Sequence, residues 1–449
     1  MEIFIVSVFI LGYIAITIEH TLKIDKLVPA LIMMALAWAG IAFGLDNFTT
    51  WFDSHNAEMV EGFANLPLEG HHGSKMAWFE GTLLHHFGKT CEILIFLIGA
   101  MTIVEIIDHF NGFQTIKRII KTNKKSSILW IVCGLGFILS AIIDNLTATI
   151  VLITILRKII SDKNLRMWYA GMIIIAANAG GAWSPIGDVT TTMLWMGHKV
   201  TAMQLVINLL LPSLVCMVIP TFIASRLKVF KGEIENAGNE EKVSANGTMM
   251  LIVGLLMIVF VPIFKTVTHL PPYVGMMLSL GVVALVAEFV SSKQISLTSV
   301  DSHDHVHGPT AGAMAKIEMP SILFFLGILM TVAALESLGL IFMFGQGVLE
   351  SGLNLDIFIV LLGAGSAVID NVPLVAASMG MFQYPEDAGL WHFIAYAAGT
   401  GGSMLIIGSA AGVVAMGMEK ISFFWYVKNI SLLAIVGYIA GCAVFLFTH

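Results

Sequence analysis

The chain has 449 residues, of which 57% are hydrophobic and only 12% are charged, and its mean hydropathy is +0.89. This composition excludes an ordinary soluble globular protein and predicts an all-α polytopic membrane protein embedded in the lipid bilayer. The net charge of -7 offers no basic surface for nucleic acid, and the four cysteines lie in apolar runs, where neither disulfides nor a zinc site are expected.

Apolar runs long enough to cross the roughly 30 Å hydrocarbon core, about 20 residues each, recur along the whole chain. The first run has no basic leader and no small-residue cleavage pattern, so we expect a retained helix and not a signal peptide. The spans predicted in this way are 3–22, 27–45, 90–112, 167–197, 201–225, 248–266, 273–290, 320–343, 390–418 and 421–447.

Two further apolar stretches, 127–160 and 354–381, each have an Asp-Asn pair near the centre. Lys and Arg both precede and follow the first stretch, and these residues accumulate in cytoplasmic loops, so both of its ends are predicted to be cytoplasmic. About 34 residues are too few for two full spans and a turn. We therefore predict a re-entrant hairpin with Asp144 and Asn145 at its tip.

Loop charges also predict the sides of the other segments. By the same rule, the acidic segment 46–82 is extracellular, whereas the charged linker 226–247 and the segment 291–319 are cytoplasmic. The second hairpin, 354–381, has no flanking Lys or Arg. It is therefore expected to enter from the opposite face.

Motifs recur in the same order in the two halves of the chain. The sequence "GGAWSPIG" at 180–187 matches "GGSMLIIG" at 401–408, and each follows an Asp-Asn pair. With about five crossings and one hairpin in each half, the second half begins on the opposite side of the membrane. We therefore predict inverted-topology repeats at 1–225 and 248–449, an arrangement typical of secondary transporters.

Gly and Pro interrupt the predicted helix 167–197 and Gly interrupts the predicted helix 390–418, so both are expected to be broken at the membrane midplane. Non-helical backbone at that depth must face protein or a wet cavity, and hard cations prefer carboxylate, hydroxyl and amide oxygens. Such oxygens cluster at the hairpin tips and at the first break. The candidate ion-binding residues are Asp144, Asn145, Thr147, Asn178, Asp188, Thr190, Thr191, Asp370 and Asn371.

Asp144 and Asp188 are expected to be the main Na⁺ ligands, because Ser409 stands in the second half where the first has Asp188. The alternative for Asp144 is a helix cap, which does not exclude a site; for the first break it is a simple Pro kink. Glu336 is a candidate for a proton path. Secondary candidates with hydroxyl groups are Ser140, Ser184, Ser366, Ser403 and Ser409, and Thr149 adds a further oxygen.

The histidines at 71–72, 85–86 and 303–307 lie mostly in predicted loops. We interpret them as solvated side chains. A pH-sensing role is the first alternative, because histidine titrates near physiological pH. Metal binding by His303, His305 and His307 is the weaker one, because a flexible loop does not fix a ligand geometry.

The motifs "SAIIDNLTAT" and "NAGGAWSPIGDVTTT", with "SAVIDNVP" and "GTGGS" in the second half, resemble the NhaD-type sodium/proton antiporters. These belong to the ion transporter superfamily, which also contains arsenite permeases and dicarboxylate carriers. The resemblance covers most of the chain after about residue 90 and leaves out 46–82. It implies a homodimer of inverted repeats with an elevator-type transport domain. We expect a multi-pass protein of the cell inner (plasma) membrane that exchanges Na⁺ or Li⁺ for H⁺, without a cofactor or enzymatic activity.

A single carboxylate can account for such exchange. Burial favours the protonated form of a carboxyl group and a bound cation favours the ionised form, so H⁺ and Na⁺ or Li⁺ compete for it. If only the neutralised site crosses the low-dielectric barrier, antiport becomes obligatory.

Three other functions are alternatives to cation exchange. An anion or metalloid carrier, for a dicarboxylate or arsenite, would need cationic groups at the tips, and neither hairpin interior contains Lys or Arg. An intramembrane enzyme is disfavoured because HExxH and GxSxG motifs are absent. A channel would conduct much faster than a carrier, so electrical recording would distinguish it.

Overall fold

The computed structural model describes residues 1–17, 23–53, 58–70, 73–117, 120, 122–234, 244–295, 308–368 and 371–449. It is built almost entirely of α-helices. The helices of the first half are α1 (Glu2–Thr17), α2 (Leu27–Gly44), α3 (Lys75–His109), α4 (Gln114–Lys117), α5 (Lys125–Ile143), α6 (Asn145–Ile159), α7 (Lys163–Gly181), α8 (Val189–Met196) and α9 (Ala202–Ser225).

The second half is helical in the same way. Its helices are α10 (Ala245–Thr268), α11 (Pro272–Ile295), α12 (Pro309–Met314), α13 (Met319–Ser337), α14 (Leu340–Glu350), α15 (Leu355–Gly365), α16 (Asn371–Met381), α17 (Gly389–Gly401), α18 (Ala410–Glu419), α19 (Phe423–Tyr426) and α20 (Leu432–Thr448). A π-helical turn, Val427–Ser431, joins the last two. Among the described residues, eight helices are long and apolar enough to cross a membrane, as expected of a polytopic membrane protein.

Two predicted boundaries were wrong. Helix α3 begins at Lys75, well before the predicted span 90–112, and takes in the end of segment 46–82. The charged residues of its first turns hide it from a hydropathy scan. Lys75 is nevertheless buried, and its Nζ donates to the carbonyl oxygen of Asp46 at 2.8 Å. The structure thus anchors the start of α3 with a satisfied polar contact.

The predicted span 320–343 is two helices, α13 and α14. They are separated at Gly339, which has a φ of 74° and donates its backbone N–H to the Glu336 carbonyl oxygen at 2.7 Å. This left-handed conformation suits glycine and ends a helix. A hydropathy scan misses the break because the residues around it remain apolar.

The prediction of an all-α chain has one small exception. Strands β1 (Phe52–Asp53) and β2 (Glu58–Met59) form an antiparallel pair within the segment 46–82. Within the described residues, 3₁₀ turns lie at Leu45–Asn47, Phe63–Asn65, Lys228–Phe230 and Gly402–Met404.

The chain divides into two compact units, and each contains segments from both halves of the sequence. The first unit consists of residues 1–95, 318–358 and 372–385. The second unit consists of residues 96–317, 359–371 and 386–449. In the second unit, α7 is buried on every side from Tyr169 to Gly181, which makes it a central helix of this unit.

Helices α5 and α6 form a hairpin alongside α7. Tyr169 Oη on α7 donates to the Lys125 carbonyl oxygen at 2.7 Å, and Ser140 Oγ on α5 donates to the Ala177 carbonyl oxygen at 2.6 Å. Helix α5 therefore runs parallel to α7, and α6 returns to the end from which α7 starts. Asp144, with a φ of 78° and a ψ of 159°, ends α5 because it cannot continue the helix.

Equivalent contacts hold α15 against α17 in the second half. Ser366 Oγ donates to the Ala398 carbonyl oxygen at 2.8 Å, as Ser140 does to Ala177. A Cβ on Gly401 would overlap the Gly363 carbonyl oxygen, just as one on Gly180 would overlap the Phe137 carbonyl oxygen. Helices meet this closely only where a side chain is absent.

Replacing Gly180 with alanine should force α5 away from α7. We expect Gly180→Ala to reduce the free energy of unfolding by about 1 to 3 kcal/mol, the usual cost of an added methyl group in a packed core. The measurement is the thermal unfolding midpoint of the purified protein in detergent. The control is Gly134→Ala on α5, where a Cβ meets no atom within 4 Å. Equal midpoints for the two variants would contradict this packing.

Candidate functional site

Two broken helices of the second unit carry polar side chains at equivalent positions. Helix α7 is followed by an irregular segment and then α8, which is capped by Asp188. Helix α17 is followed by the 3₁₀ turn Gly402–Met404 and then α18, which is capped by Ser409. The two caps have nearly the same backbone conformation, with a φ of -147° at both and ψ of 150° and 153°. Each side chain accepts a hydrogen bond from the first turn of its helix, as N-caps do.

The carboxylate of Asp188 is buried, with 4% of the residue exposed. Its Oδ2 accepts hydrogen bonds from Asn145 Nδ2 at 3.2 Å and from Asn371 Nδ2 at 3.0 Å. A buried carboxylate requires such donors, because the loss of water is otherwise uncompensated. Asn145 and Asn371 are the first residues of α6 and α16. The asparagines of both Asp-Asn pairs therefore meet on one carboxylate.

Asn178 connects this carboxylate group to the second broken helix. Its Oδ1 accepts from Asn145 Nδ2 at 3.0 Å. Its Nδ2 donates to Ser403 Oγ at 2.9 Å and to Ser409 Oγ at 3.0 Å. We call the whole group the Asp188 cluster; its members are Asp188, Asn145, Asn178, Asn371, Ser403 and Ser409.

Two buried hydroxyl groups lie on the helices of the cluster and have no hydrogen-bond partner within the described part of the chain. They are Oγ1 of Thr149, on α6 one turn after Asn145, and Oγ1 of Thr190, in the first turn of α8. An unpaired buried hydroxyl is costly and calls for a missing partner. Both oxygens are available to a bound ion or water. Thr191 Oγ1, in contrast, donates to the Asp188 carbonyl oxygen at 2.9 Å.

Asp144 caps helix α6. Its Oδ1 accepts from the Thr147 backbone N–H at 2.7 Å, and its Oδ2 accepts from Thr147 Oγ1 at 2.9 Å. The structure therefore shows Asp144 as a helix cap, which was the alternative to ion binding. The residue is half-buried. Direct ion binding by Asp144 or Thr147 stays a prediction, and the predicted ligand Asp370 lies outside the described residues.

The remaining candidates are spread over different roles. Ser140, Ser184 and Ser366 donate to backbone carbonyl oxygens, Ser184 to that of Ala141 at 2.5 Å. Glu336 belongs to the first unit, whereas the Asp188 cluster lies in the second. The predicted loop histidines at 71–72 and 303–307 lie outside the described residues. His85 and His86 lie within α3, so the loop prediction was wrong for this pair.

Ser403 and Ser409 were secondary candidates in the sequence, yet they belong to the cluster. Their distance in sequence from Asn178 conceals the contact. Their position in the sequence could have indicated this role, because both follow the double glycine of the second half that matches Gly180 and Gly181.

A family model described as "Citrate transporter" matches residues 13–391. Sodium/proton antiporter 2 of Arabidopsis thaliana is 35% identical over 449 residues, which cover 98% of this chain and 98% of that protein. Sodium/proton antiporter 1 of the same plant is 42% identical over 373 residues, 82% of this chain, and the match spans only 63% of that longer relative.

A bacterial relative and a solved structure are also similar to the chain. The Na(+)/H(+) antiporter NhaD of Alkalimonas amylolytica is 29% identical over 464 residues, covering 99% of this chain and 90% of that protein. The crystal structure of the Alcanivorax borkumensis YdaH transporter superimposes with a TM-score of 0.58 at 12% identity and covers 94% of this chain and 97% of that one. At this identity the likeness concerns the fold alone.

Asn178→Ala should weaken the cluster, because it removes the bonds to Asn145, Ser403 and Ser409 together. We expect a loss of about 1 to 3 kcal/mol in the free energy of unfolding, since buried polar partners are left unsatisfied. Thermal unfolding in detergent measures this. Asn164→Ala is the matched control, because Asn164 is exposed in the first turn of the same helix. A wild-type midpoint for Asn178→Ala would show that Asn178 does not hold the cluster together.

Proposed function

Because the chain belongs to the citrate transporter family, we propose that it is a secondary transporter that exchanges Na⁺ or Li⁺ for H⁺ across the membrane. Relatives that match 98% or more of this chain are named sodium/proton antiporters. The observation that carries the proposal is the Asp188 carboxylate, buried among neutral amide and hydroxyl groups. Such a donor set suits a small hard cation.

The charge of the cluster separates cation exchange from anion transport. Asp188 is the one charged member of the cluster as defined, and the other members are three asparagines and two serines. A dicarboxylate or citrate ion placed there would meet a buried negative charge with no cation in the cluster to offset it. A cation or a proton, by contrast, neutralises the carboxylate.

The Asp188 carboxylate and the asparagines around it can account for competition between a proton and a cation. Asn145 and Asn371 donate their N–H groups to Asp188 Oδ2. The side-chain amide of an asparagine has an oxygen, Oδ1, beside its nitrogen, so rotation of the amide presents an oxygen ligand to a cation. Thr149 and Thr190 add hydroxyl oxygens. A proton on Asp188 removes the charge that the cation needs, so the site holds one or the other.

We further propose that the two halves are inverted-topology repeats with re-entrant hairpins around this site. The support is the pair of N-caps with the same conformation and the equivalent contacts of Ser140 and Ser366. An elevator-type movement, a homodimer and the cell inner (plasma) membrane are implied by the family resemblance alone. They remain predictions.

Neutralising Asp188 should abolish exchange. In everted vesicles that have been acidified inside, adding Na⁺ or Li⁺ should restore the fluorescence of a ΔpH-sensitive dye for the wild type. It should not do so for Asp188→Asn, because the variant lacks the carboxylate for which the cation and the proton compete. K⁺ and citrate are added in parallel arms. Asp356→Asn is the control, since Asp356 is an exposed carboxylate.

Strong Na⁺-dependent recovery in the Asp188→Asn vesicles would overturn the assignment of this carboxylate. Recovery of the wild type with citrate, and none with Na⁺ or Li⁺, would overturn cation exchange itself.

Asp144 can be tested for charge and capping separately. Asparagine is a good N-cap, so Asp144→Asn keeps the cap of α6 and removes only the charge, whereas Asp144→Ala removes both. The sequence predicts that exchange is lost in both variants. If capping is the whole role, Asp144→Asn should exchange Na⁺ at close to the wild-type rate while Asp144→Ala does not. The same vesicle assay, normalised to the amount of folded protein, decides.

A further inference from the structure

A second buried carboxylate of the second unit lies far from the Asp188 cluster. The side chain of Glu419 is 1% exposed and forms two ion pairs: Oε1 with Arg157 Nε at 2.7 Å and Oε2 with Arg166 Nε at 3.1 Å. Arg157 Nη2 also donates to the carbonyl oxygen of Met418. We call Glu419, Arg157 and Arg166 the Glu419 clamp. In the sequence the two arginines indicated only a cytoplasmic loop, and the predicted helix ended one residue before Glu419.

Each residue of the clamp comes from a different helix. Arg157 lies in the last turn of α6, Arg166 in the first turn of α7, and Glu419 is the last residue of α18. Removing a carboxylate from water is costly, so both of its oxygens need charged donors in good geometry. The two arginines supply them, and the three helix ends are thereby held together.

The same three helices carry residues of the Asp188 cluster at their other ends. Asn145 begins α6, Asn178 lies near the end of α7, and Ser409 caps the start of α18. At a rise of about 1.5 Å per residue, each lies about 15 to 18 Å along its helix from the clamp. Asn178 bonds both Asn145 and Ser409. The three helices are therefore joined to one another at both ends.

We propose that the Glu419 clamp positions the Asp188 cluster by fixing how far α6, α7 and α18 slide along one another. A helix is stiff along its axis, so an axial shift at the clamp moves Asn145, Asn178 and Ser409 by the same amount. Misplacement by a few tenths of an ångström weakens hydrogen bonds and ion ligation alike. Glu419 acts through the helices and does not touch the ion, so it is a positioning residue for cation affinity.

This inference rests on the proposed cation exchange and predicts a specific kinetic change. Glu419→Gln keeps the size of the side chain and removes the charge that holds both arginines. We expect the apparent KM for Na⁺ to rise about tenfold, which corresponds to about 1.4 kcal/mol of lost cation affinity. The apparent KM comes from the Na⁺ dependence of dye recovery in everted vesicles. Maximal rates are normalised to folded protein measured by fluorescence-detected size exclusion.

Double substitution tests whether the arginines act through Glu419. If they do, Arg157→Gln alone should raise the KM, and adding it to Glu419→Gln should raise the KM no further. Arg157→Gln also serves if Glu419→Gln does not fold, because the Arg157 side chain is 44% exposed and Glu419 keeps its bond to Arg166. Lys163→Gln is the control: it removes an exposed cation from the first turn of α7 and should leave the KM unchanged.

The outcomes separate this inference from the proposed function. A wild type that shows no Na⁺- or Li⁺-driven exchange overturns the proposed function and the clamp's role in it together. Exchange by the wild type, with a wild-type KM in both Glu419→Gln and Arg157→Gln, overturns the clamp alone. That result, with a lower yield of folded protein, would identify the ion pairs as a contribution to stability only. A tenfold rise in KM at an unchanged yield supports positioning.

Discussion

The burial of one carboxyl group, that of Asp188, is the constraint on which the rest of this cluster depends. In an apolar surrounding the charge is tolerated only where several donors converge on it. Here the donors arrive from both halves of the chain, through Asn145 and Asn371. The helix break before α8 is needed for this arrangement, because an unbroken helix would have no N-terminus there for Asp188 to cap. The hairpins, the breaks and the close glycine contacts all bring polar groups to this carboxylate.

Much of this organisation was readable from the sequence, because it is expressed in local pattern. Apolar length predicted the positions of most spans, and the first Asp-Asn pair within an apolar run marked the turn between α5 and α6. The early start of α3 and the break at Gly339 were missed, since charged first turns look extramembrane and an apolar turn looks helical. Both errors come from averaging hydropathy over a window that is longer than the feature.

The different hydrogen-bond partners of the two candidate carboxylates could not be predicted from the sequence. Asp144 and Asp188 stand in similar polar surroundings along the chain, and only the folded structure shows that the first caps a helix and the second receives both asparagines. The sequence made Ser409 only a secondary candidate and did not single out Glu419, for a related reason. The partner of Ser409, Asn178, and the partners of Glu419, Arg157 and Arg166, lie in the opposite half of the sequence. Contacts over such separations leave no periodicity to detect.

The matched caps at Asp188 and Ser409 have a consequence for how this architecture can vary. Because the backbone is nearly the same at both positions, this framework accepts either a carboxylate or a hydroxyl group as the cap of the second helix segment. The number of carboxylates in the cluster is therefore set by the side chains at the two caps and not by the backbone. A change between aspartate and serine at either cap would alter the charge of the cluster without requiring a new backbone conformation.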